Sequence, residues 1–507
     1  MSRTRTRTRC AAARSAATAI TSATARSIAS TATLRNACCR TWPSISVSRT
    51  TEVACMSARR RTLILPCETQ VREFDAKLLL ALVAASGGTP AIVGAKKVVD
   101  INLDRFPPGV YVGKSVTARS RHNLDLARRC GHRVVLWDEE GLVWASREVY
   151  WRTKVDGATL NEPEMLIAWG EDNAAAWREH PDYAGVPITV CGNPRADLLH
   201  PKLTALFAAE VDAIEREYGR FVLINTNFSR VNHVQPRQNR HLKWLREQRP
   251  DDPRGGFAAH KYELFQAFVK ALPALARALP ELRFVLRPHP SERVRTWQDI
   301  AAGLDNVRVA ADGNVVAWLL AADGLVHNGC TTAVEAFQLG RPALAYRPVL
   351  NPDYDHPLPN DISLSCLELP ELIDEVSACR ADRDAVFARQ AEAGGRAVMA
   401  RALAGLGETE LACQRILRSL APLLDEGLSA TNEAGRSGRL AMVLRRLLRP
   451  VESRLPGTAN YGPYLAHMFP DTDIEQVRER IRLLADCLGL DTLPPITQLE
   501  TNVFRLG

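Results

Sequence analysis

The chain has none of the short signatures that fix an enzyme's chemistry at sight. Its 507 residues contain no GxxxxGK(S/T) loop, no GxSxG elbow, no HExxH pair and no EF-hand loop. P-loop nucleotide hydrolysis, α/β-hydrolase catalysis, zincin proteolysis and EF-hand calcium binding are thereby set aside. His289 and His327 lie on separate segments without zinc-ligand spacing, so no metal is expected. There is no CxxC. Four of the twelve cysteines (Cys10, Cys38, Cys39, Cys55) sit near the N-terminus, and the other eight are scattered singly in apolar contexts. They read as buried thiols in a reducing compartment rather than a disulfide framework. No apolar run approaches the roughly 18 residues of a membrane span, so the expected location is cytoplasmic, soluble or peripheral at the inner face of the membrane.

Lysine is absent, and acids nearly so, from residues 1–55, which hold nine Arg and one acid, Glu52. That stretch carries the whole formal charge of +8, since the remaining 56 basic and 56 acidic residues cancel. The body is electrically balanced, and no nucleic-acid partner is expected. The Arg-, Ser-, Ala- and Thr-rich composition of 1–55 is that of an organellar transit peptide. The alternative is an extension that is not native coding sequence, because Met56 opens a short basic lead-in to a first strand. Either way residues 1–55 are expected to be disordered.

What is present is an alternation of short apolar runs and amphipathic segments, the pattern of an α/β fold built on parallel sheets. Strands are predicted at 62–66 (TLILP), 90–93, 110–112, 133–137, 165–169 and 188–190, with helices between them. These form a first domain over 56–206. A second domain, 207–425, opens with FVLI at 221–224 and continues through 283–347. A polar, basic excursion is expected at 229–261. A linker is expected at 426–438 and a helical C-terminal tail at 439–507. Within the tail, 439–449 (RLAMVLRRLLR) is a basic amphipathic helix that either packs on the body or lies on an anionic membrane.

The stretch 283–347 organises the candidate chemistry. Its runs at 284–286 and 324–326 each stop at a polar loop that opens into a helix, the place where α/β units present ligands. Arg287 offers a planar fork for phosphate oxygens, and His289 can donate to a phosphate or protonate a leaving group. Pro288 and Pro290 stiffen that loop, and Ser291 follows. Asn328 and Gly329 form a turn before Thr331 and Thr332, whose N–H groups begin a helix with a dipole that favours an anion. Glu335, one turn on, reaches a ribose or base or is an ordinary helix-surface acid. Asn225, Thr226 and Asn227 close the 221–224 run. In the first domain Glu68 follows the first strand, and Asp138, Glu139 and Glu140 follow the RVVLW run. Those acids either cap turns or supply a catalytic carboxylate.

These segments resemble a family. RPHPSE looks like the His-Pro motif of bacterial capsule sialyltransferases, Kdo transferases and CDP-glycerol glycerophosphotransferases. HNGCTTAVEAFQLGRPAL resembles their Ser/Thr-rich phosphate loop and the matching segment of nucleotide-sugar 2-epimerases. The nearest likeness is to bacterial surface carbohydrate (surface or capsular polysaccharide) biosynthesis proteins, through 68–77 (ETQVREFDAK), 138–141 (DEEG), 192–197 (GNPRAD) and 224–228 (INTNF). The resemblance covers about 62–425. It implies a GT-B arrangement, two Rossmann-like domains across a cleft, with the acceptor on the first, the donor nucleotide on the second and no metal at the phosphates. Cys330 and two threonines stand where many relatives have paired serines, and His327-Asn328 where some have Thr-Asp, which leaves the donor's identity open.

The function so implied is a glycosyltransferase that moves a sugar or sugar-acid unit from a nucleotide donor to a surface polysaccharide or lipid-linked glycan acceptor, without a cofactor. Arg287, His289, Thr331 and Thr332 would stabilise charge on the leaving phosphate, and Glu68, with Asp138, Glu139 or Glu140 as rivals, would deprotonate the acceptor. Two alternatives stay open on the same fold: a nucleotide-sugar epimerase or hydrolase, and a non-catalytic polysaccharide assembly component.

Overall fold

The computed structural model describes residues 60–425, 435–455 and 460–507. The expectations for 1–55 and for most of the linker fall outside these residues.

Two α/β sheets organise the described chain. The first takes strands β1 (Thr62–Cys67), β2 (Ala91–Ala95), β3 (Gly109–Gly113), β4 (Arg133–Trp137), β5 (Met165–Ala168) and β6 (Ile188–Val190). All six run parallel, in the order β2-β1-β3-β4-β5-β6. The second takes β7 (Val222–Thr226), β8 (Phe284–Pro288), β9 (Val307–Val309), β10 (Leu325–His327), β11 (Ala343–Tyr346) and β12 (Leu364–Cys366), in the order β12-β11-β10-β7-β8-β9. Counted within its own domain, that order is the 3-2-1-4-5-6 of a Rossmann sheet. The first sheet follows the other doubly wound order, 2-1-3-4-5. Strands such as β1, β2 and β3 are buried along their whole length, because helices cover both faces; hence their continuous apolar runs.

The topology places the two switch points. In the second sheet the order reverses between β7 and β10, so the loops after Thr226 and His327 bound the crevice where ligands bind in such sheets. The equivalent point in the first sheet lies between β1 and β3.

Several expectations need correction. The basic excursion at 229–261 is mostly helical: Pro236–Gln248, then the start of the 26-residue helix Pro253–Ala278. Each begins with proline at its first turn, where a missing N–H costs nothing, and Asp252 caps the second by accepting from Arg254 N. The expected linker reaches only as far as Gly435, because Arg436 already starts the helix Arg436–Glu452. The C-terminal tail is not wholly helical. Its strands β13 (Ile496–Glu500) and β14 (Val503–Leu506) form an antiparallel hairpin, and β14 pairs antiparallel with β2. Nor does the second domain keep everything up to 425. The helix Ala412–Asp425 returns to the first domain, where Asp197 accepts from Ala412 N (2.7 Å) and Cys413 N (2.9 Å), and Arg61 N donates to Leu424 O (2.8 Å). The tail helix Ile474–Leu488 is held by a two-pronged Arg480–Asp75 pair (2.9 and 2.6 Å).

Candidate functional site

The second-domain wall is built around its switch point. Asn227 N donates to Asn328 Oδ1 (2.9 Å) and Asn328 Nδ2 donates back to Asn227 O (3.2 Å), so the loops after β7 and β10 hold each other in place. Asn225 is buried at the end of β7, level with Arg287 on one side and His327 on the other. Its Oδ1 has no hydrogen-bond partner among the described residues. Thr226 donates from Oγ1 to Glu292 (2.9 Å), as do Phe228 N (2.9 Å), His289 N (3.2 Å) and Trp297 Nε1 (2.9 Å). The buried Glu292 carboxylate thus splices the His-Pro loop to the β7 loop. Burial raises its pKa even against that set of donors.

Arg287 is less free than a phosphate fork requires. Its Nη2 donates to Asp312 O and Gly313 O, both at 2.9 Å, and the guanidinium lies 5.5 Å from the Trp318 ring. Nε remains without a partner, and burial lowers the group to about 10. His289 accepts at Nδ1 from Ser291 N (3.1 Å), which leaves Nε2 as the protonated nitrogen. Partial burial and the nearby Arg72 charge lower its pKa, so the imidazole is neutral at pH 7. Gly329 adopts φ +79°, which favours glycine. The helix after it, Thr332–Gln338, has only seven residues, and Thr331 does not cap it with its side chain. Its dipole is correspondingly short, and the Thr332 hydroxyl is engaged with Cys330 Sγ (2.7 Å). His327 is structural: Nδ1 accepts from Gly329 N (3.0 Å), Nε2 faces Ser363 Oγ (2.9 Å), and burial lowers it to about 3.

The first-domain wall is a network of opposite charges. Lys77 is buried between Glu73 Oε2 (2.8 Å) and Glu139 Oε1 (2.9 Å) and also donates to Pro66 O (2.7 Å). Trp137 Nε1 adds a donor to Glu139 Oε1 (3.0 Å). Burial would raise the Glu139 carboxyl, but Lys77 and Arg195 beside it hold it below the usual range. Its Oε2 has no partner among the described residues. Glu140, its side chain half-exposed, pairs with Arg72, whose charge lowers its pKa.

The two walls meet at a narrow cavity. Arg72, Glu139, Glu140, Trp169 and Arg195 line it from the first domain, Thr331 and Glu335 from the second. Arg195 bridges them: Nη1 donates to Glu139 O (3.2 Å), Nη2 lies 3.6 Å from Glu335 Oε1, and the guanidinium stands 5.6 Å from the Trp169 ring. Burial raises the Glu335 carboxyl, with Arg195 and Arg72 opposing, and its Oε2 lacks a partner among the described residues. The cavity measures about 40 Å³, against roughly 300 Å³ or more for a pocket that holds a drug-sized ligand. A ligand of that size enters only if the walls part.

Of the sequence-predicted residues, Glu139, Glu140, Thr331 and Glu335 line one cavity, with His289 within electrostatic reach of Arg72 and Glu140 at its edge. Glu68 is not on its lining: the side chain is half-exposed and ion-paired with Lys114. Asp138 turns away from it to accept from Tyr150 OH (2.9 Å) and Glu140 N (3.1 Å), and burial raises it to about 6. Sequence reasoning passed over Arg72, Lys77, Arg195 and Glu292. All four lie inside the segments quoted above, and their type, a charged residue beside a strand end, was the available signal.

No protein-family model and no curated protein matches the sequence. Solved structures similar to this chain include S. aureus MnaA with UDP, at 12% identity over 72% of this chain and 97% of that one, with a TM-score of 0.44. The Methanocaldococcus jannaschii UDP-GlcNAc 2-epimerase with UDP-GlcNAc and UDP gives 13%, 71%, 99% and 0.45. A variant of the wall teichoic acid polymerase TagF gives 13%, 73%, 90% and 0.45. Likeness at this level says nothing of a shared reaction, and the fold rests on the strand orders above.

Proposed function

We propose that the chain is a metal-independent glycosyltransferase of surface polysaccharide synthesis, using a nucleotide-activated sugar or sugar acid as donor. One observation carries the reading. Five motif segments spread over more than two hundred residues converge, at the carboxyl ends of strands from two doubly wound domains, on one cleft of carboxylates and arginines. In this reading the donor phosphate lies at the β7/β10 crevice. The acceptor hydroxyl attacks the anomeric carbon as the bond to phosphate breaks. Its proton passes to Glu139, ionised and with one oxygen free. In this reading the charge left on the phosphate is met by His289 Nε2–H and by the N–H groups of Arg287 that Asp312 and Gly313 do not engage. Parting and closing of the walls would admit the donor and then exclude water, which competes as acceptor.

The test is a thermal-shift screen of the full chain against CMP, CDP, UDP, GDP and dTDP, since a ligand that binds only the folded state raises its melting temperature. One nucleotide is expected to stabilise the protein without added magnesium. If none does, the donor-site reading fails.

An anionic membrane surface is the proposed workplace, which suits a lipid-linked glycan acceptor. The support is the helix Arg436–Glu452. Met442 is buried and Arg446 is bound to Asp104 (2.6 and 2.9 Å), while Leu440, Val443, Leu444, Leu447, Leu448 and Val451 are 44 to 69% exposed on a helix rich in arginine. Among the described residues no helix is long and apolar enough to cross a membrane, so contact would be interfacial. Co-sedimentation with vesicles containing phosphatidylglycerol, but not with pure phosphatidylcholine, is expected, and L444E/L447E should abolish it. If that variant instead dissociates a dimer and leaves sedimentation unchanged, the face is a self-association surface.

A further inference from the structure

Beneath the Gly329–Thr331 loop lies a cation that the reading above does not use. Lys261, on the helix Pro253–Ala278, is only 5% exposed. Its ammonium stands 5.7 Å from the Phe257 ring and makes no hydrogen bond or ion pair with any described residue. The groups that face it are Cys330 from the loop, and Asp355 and His356 from the segment after β11. The only carboxylate among these, Asp355, is already paired with Arg347 Nη2 (3.0 Å) and lies 3.2 Å from the neighbouring His260 Nε2. His356 donates from Nδ1 to Gly329 O (3.0 Å) and is neutral, burial holding it near 4. Cys330 is a protonated thiol, pushed up by burial. Asn360 adds an unpartnered buried Oδ1 beside Gly329, 3.4 Å from where a Cβ would stand.

An ammonium that keeps only a little solvent contact and has no close counter-charge is costly, because its lost hydration is not repaid by pairing. Burial shows the strain: it pulls Lys261 down to about 8, against the partial help of Asp355. Such a site is relieved by an anion. We propose that Lys261 is a binding residue for a phosphate of the nucleotide donor at the Gly329–Thr331 loop, a second cation on a different element from Arg287. This rests on the donor-site reading for the nucleotide, though not for the anion.

The experiment compares the full-length wild type with Lys261→Met and Lys261→Arg by calorimetric titration of inorganic pyrophosphate, UDP, CDP and CMP. For whichever nucleotide the wild type binds, Lys261→Met should weaken affinity at least tenfold, and Lys261→Arg should retain most of it. Wild-type affinity should fall as pH rises from 7 to 9.5, because the ammonium deprotonates, and that of Lys261→Arg should not. Without ligand, Lys261→Met should melt at a higher temperature than the wild type, which a lysine with a purely structural role would not allow. A folded Lys261→Met protein with unchanged nucleotide affinity overturns the assignment and leaves the donor reading intact. Lysine-dependent binding of pyrophosphate with no nucleotide bound overturns the donor reading and leaves the anion site. Absence of binding by any probe overturns both.

Discussion

Replacing Lys77 by Met removes the cation that lies between two buried carboxylates. Its three contacts, at 2.7 to 2.9 Å, are made by groups no more than 5% exposed where side chains are involved. Removing one partner of a buried ion pair costs about 3–5 kcal/mol, because the remaining charge is stranded in a medium that solvates it poorly. With roughly 2–4 °C lost per kcal/mol in domains of this size, the melting temperature should drop by about 6–20 °C. The loss should depend on pH with a definite sign. In the wild type Glu139 is held below its ordinary range, chiefly by Lys77 against burial, so its contribution is present at neutral pH and lost on acidification through the folded-state value. In the variant, burial without the lysine raises both carboxyls above their unfolded values. That destabilises the fold at neutral pH and is relieved as pH falls. The deficit between variant and wild type should therefore shrink between pH 7.5 and pH 5. Circular-dichroism melts at both pH values measure it, and the triple variant Glu73→Gln/Lys77→Met/Glu139→Gln should recover most of the loss. A deficit below about 1 kcal/mol, as expected of an exposed pair, or one that does not change with pH, would refute the network's role.

Three further outcomes are expected. Asp197→Ala removes the acceptor of Ala412 N and Cys413 N and should cost about 1–2 kcal/mol, seen as faster limited proteolysis within 412–425. Gly170→Ala places a Cβ against the Ala402 carbonyl, where the chain crosses back between domains, and should lower stability by about 1–3 kcal/mol; an unchanged melting temperature would show that this approach is soft. Glu292→Gln turns an amide N–H₂ toward a cluster of donors. It should cost about 1–3 kcal/mol and abolish nucleotide binding by releasing the His289 loop, whereas binding that survives would mean the loop is held by other contacts.

Much of this was legible because buried parallel strands advertise their ends. The runs before Asp138, Asn225 and Arg287 stop where apolar residues give way to polar ones, and the doubly wound topology sends those ends toward ligand. Side-chain direction was not legible. Glu68 and Asp138 stand at strand ends as Glu139 does, yet one is drawn out by Lys114 and the other folded back by Tyr150. Arg195 was hidden for a different reason. Its importance comes from spanning to Glu335, a neighbour created only when two domains pack. The hairpin β13-β14 escaped because ITQLE is a largely exposed edge strand with little hydrophobic signature, and the β2 partner of β14 lies some four hundred residues earlier.

That last pairing has a consequence for synthesis. Until Val503–Leu506 emerges, β2 presents an open parallel-sheet edge, with Ile92 and Val93 awaiting the backbone of Arg505 and Phe504. Of the two sheet domains, the one translated earlier is thus finished after the other, and closing it depends on a pairing about four hundred residues apart in sequence. The nascent chain carries an unpaired edge through the making of the entire second domain, the state in which strands recruit wrong partners. Tags or truncations at the C-terminus would therefore act on the solubility of the N-terminal domain.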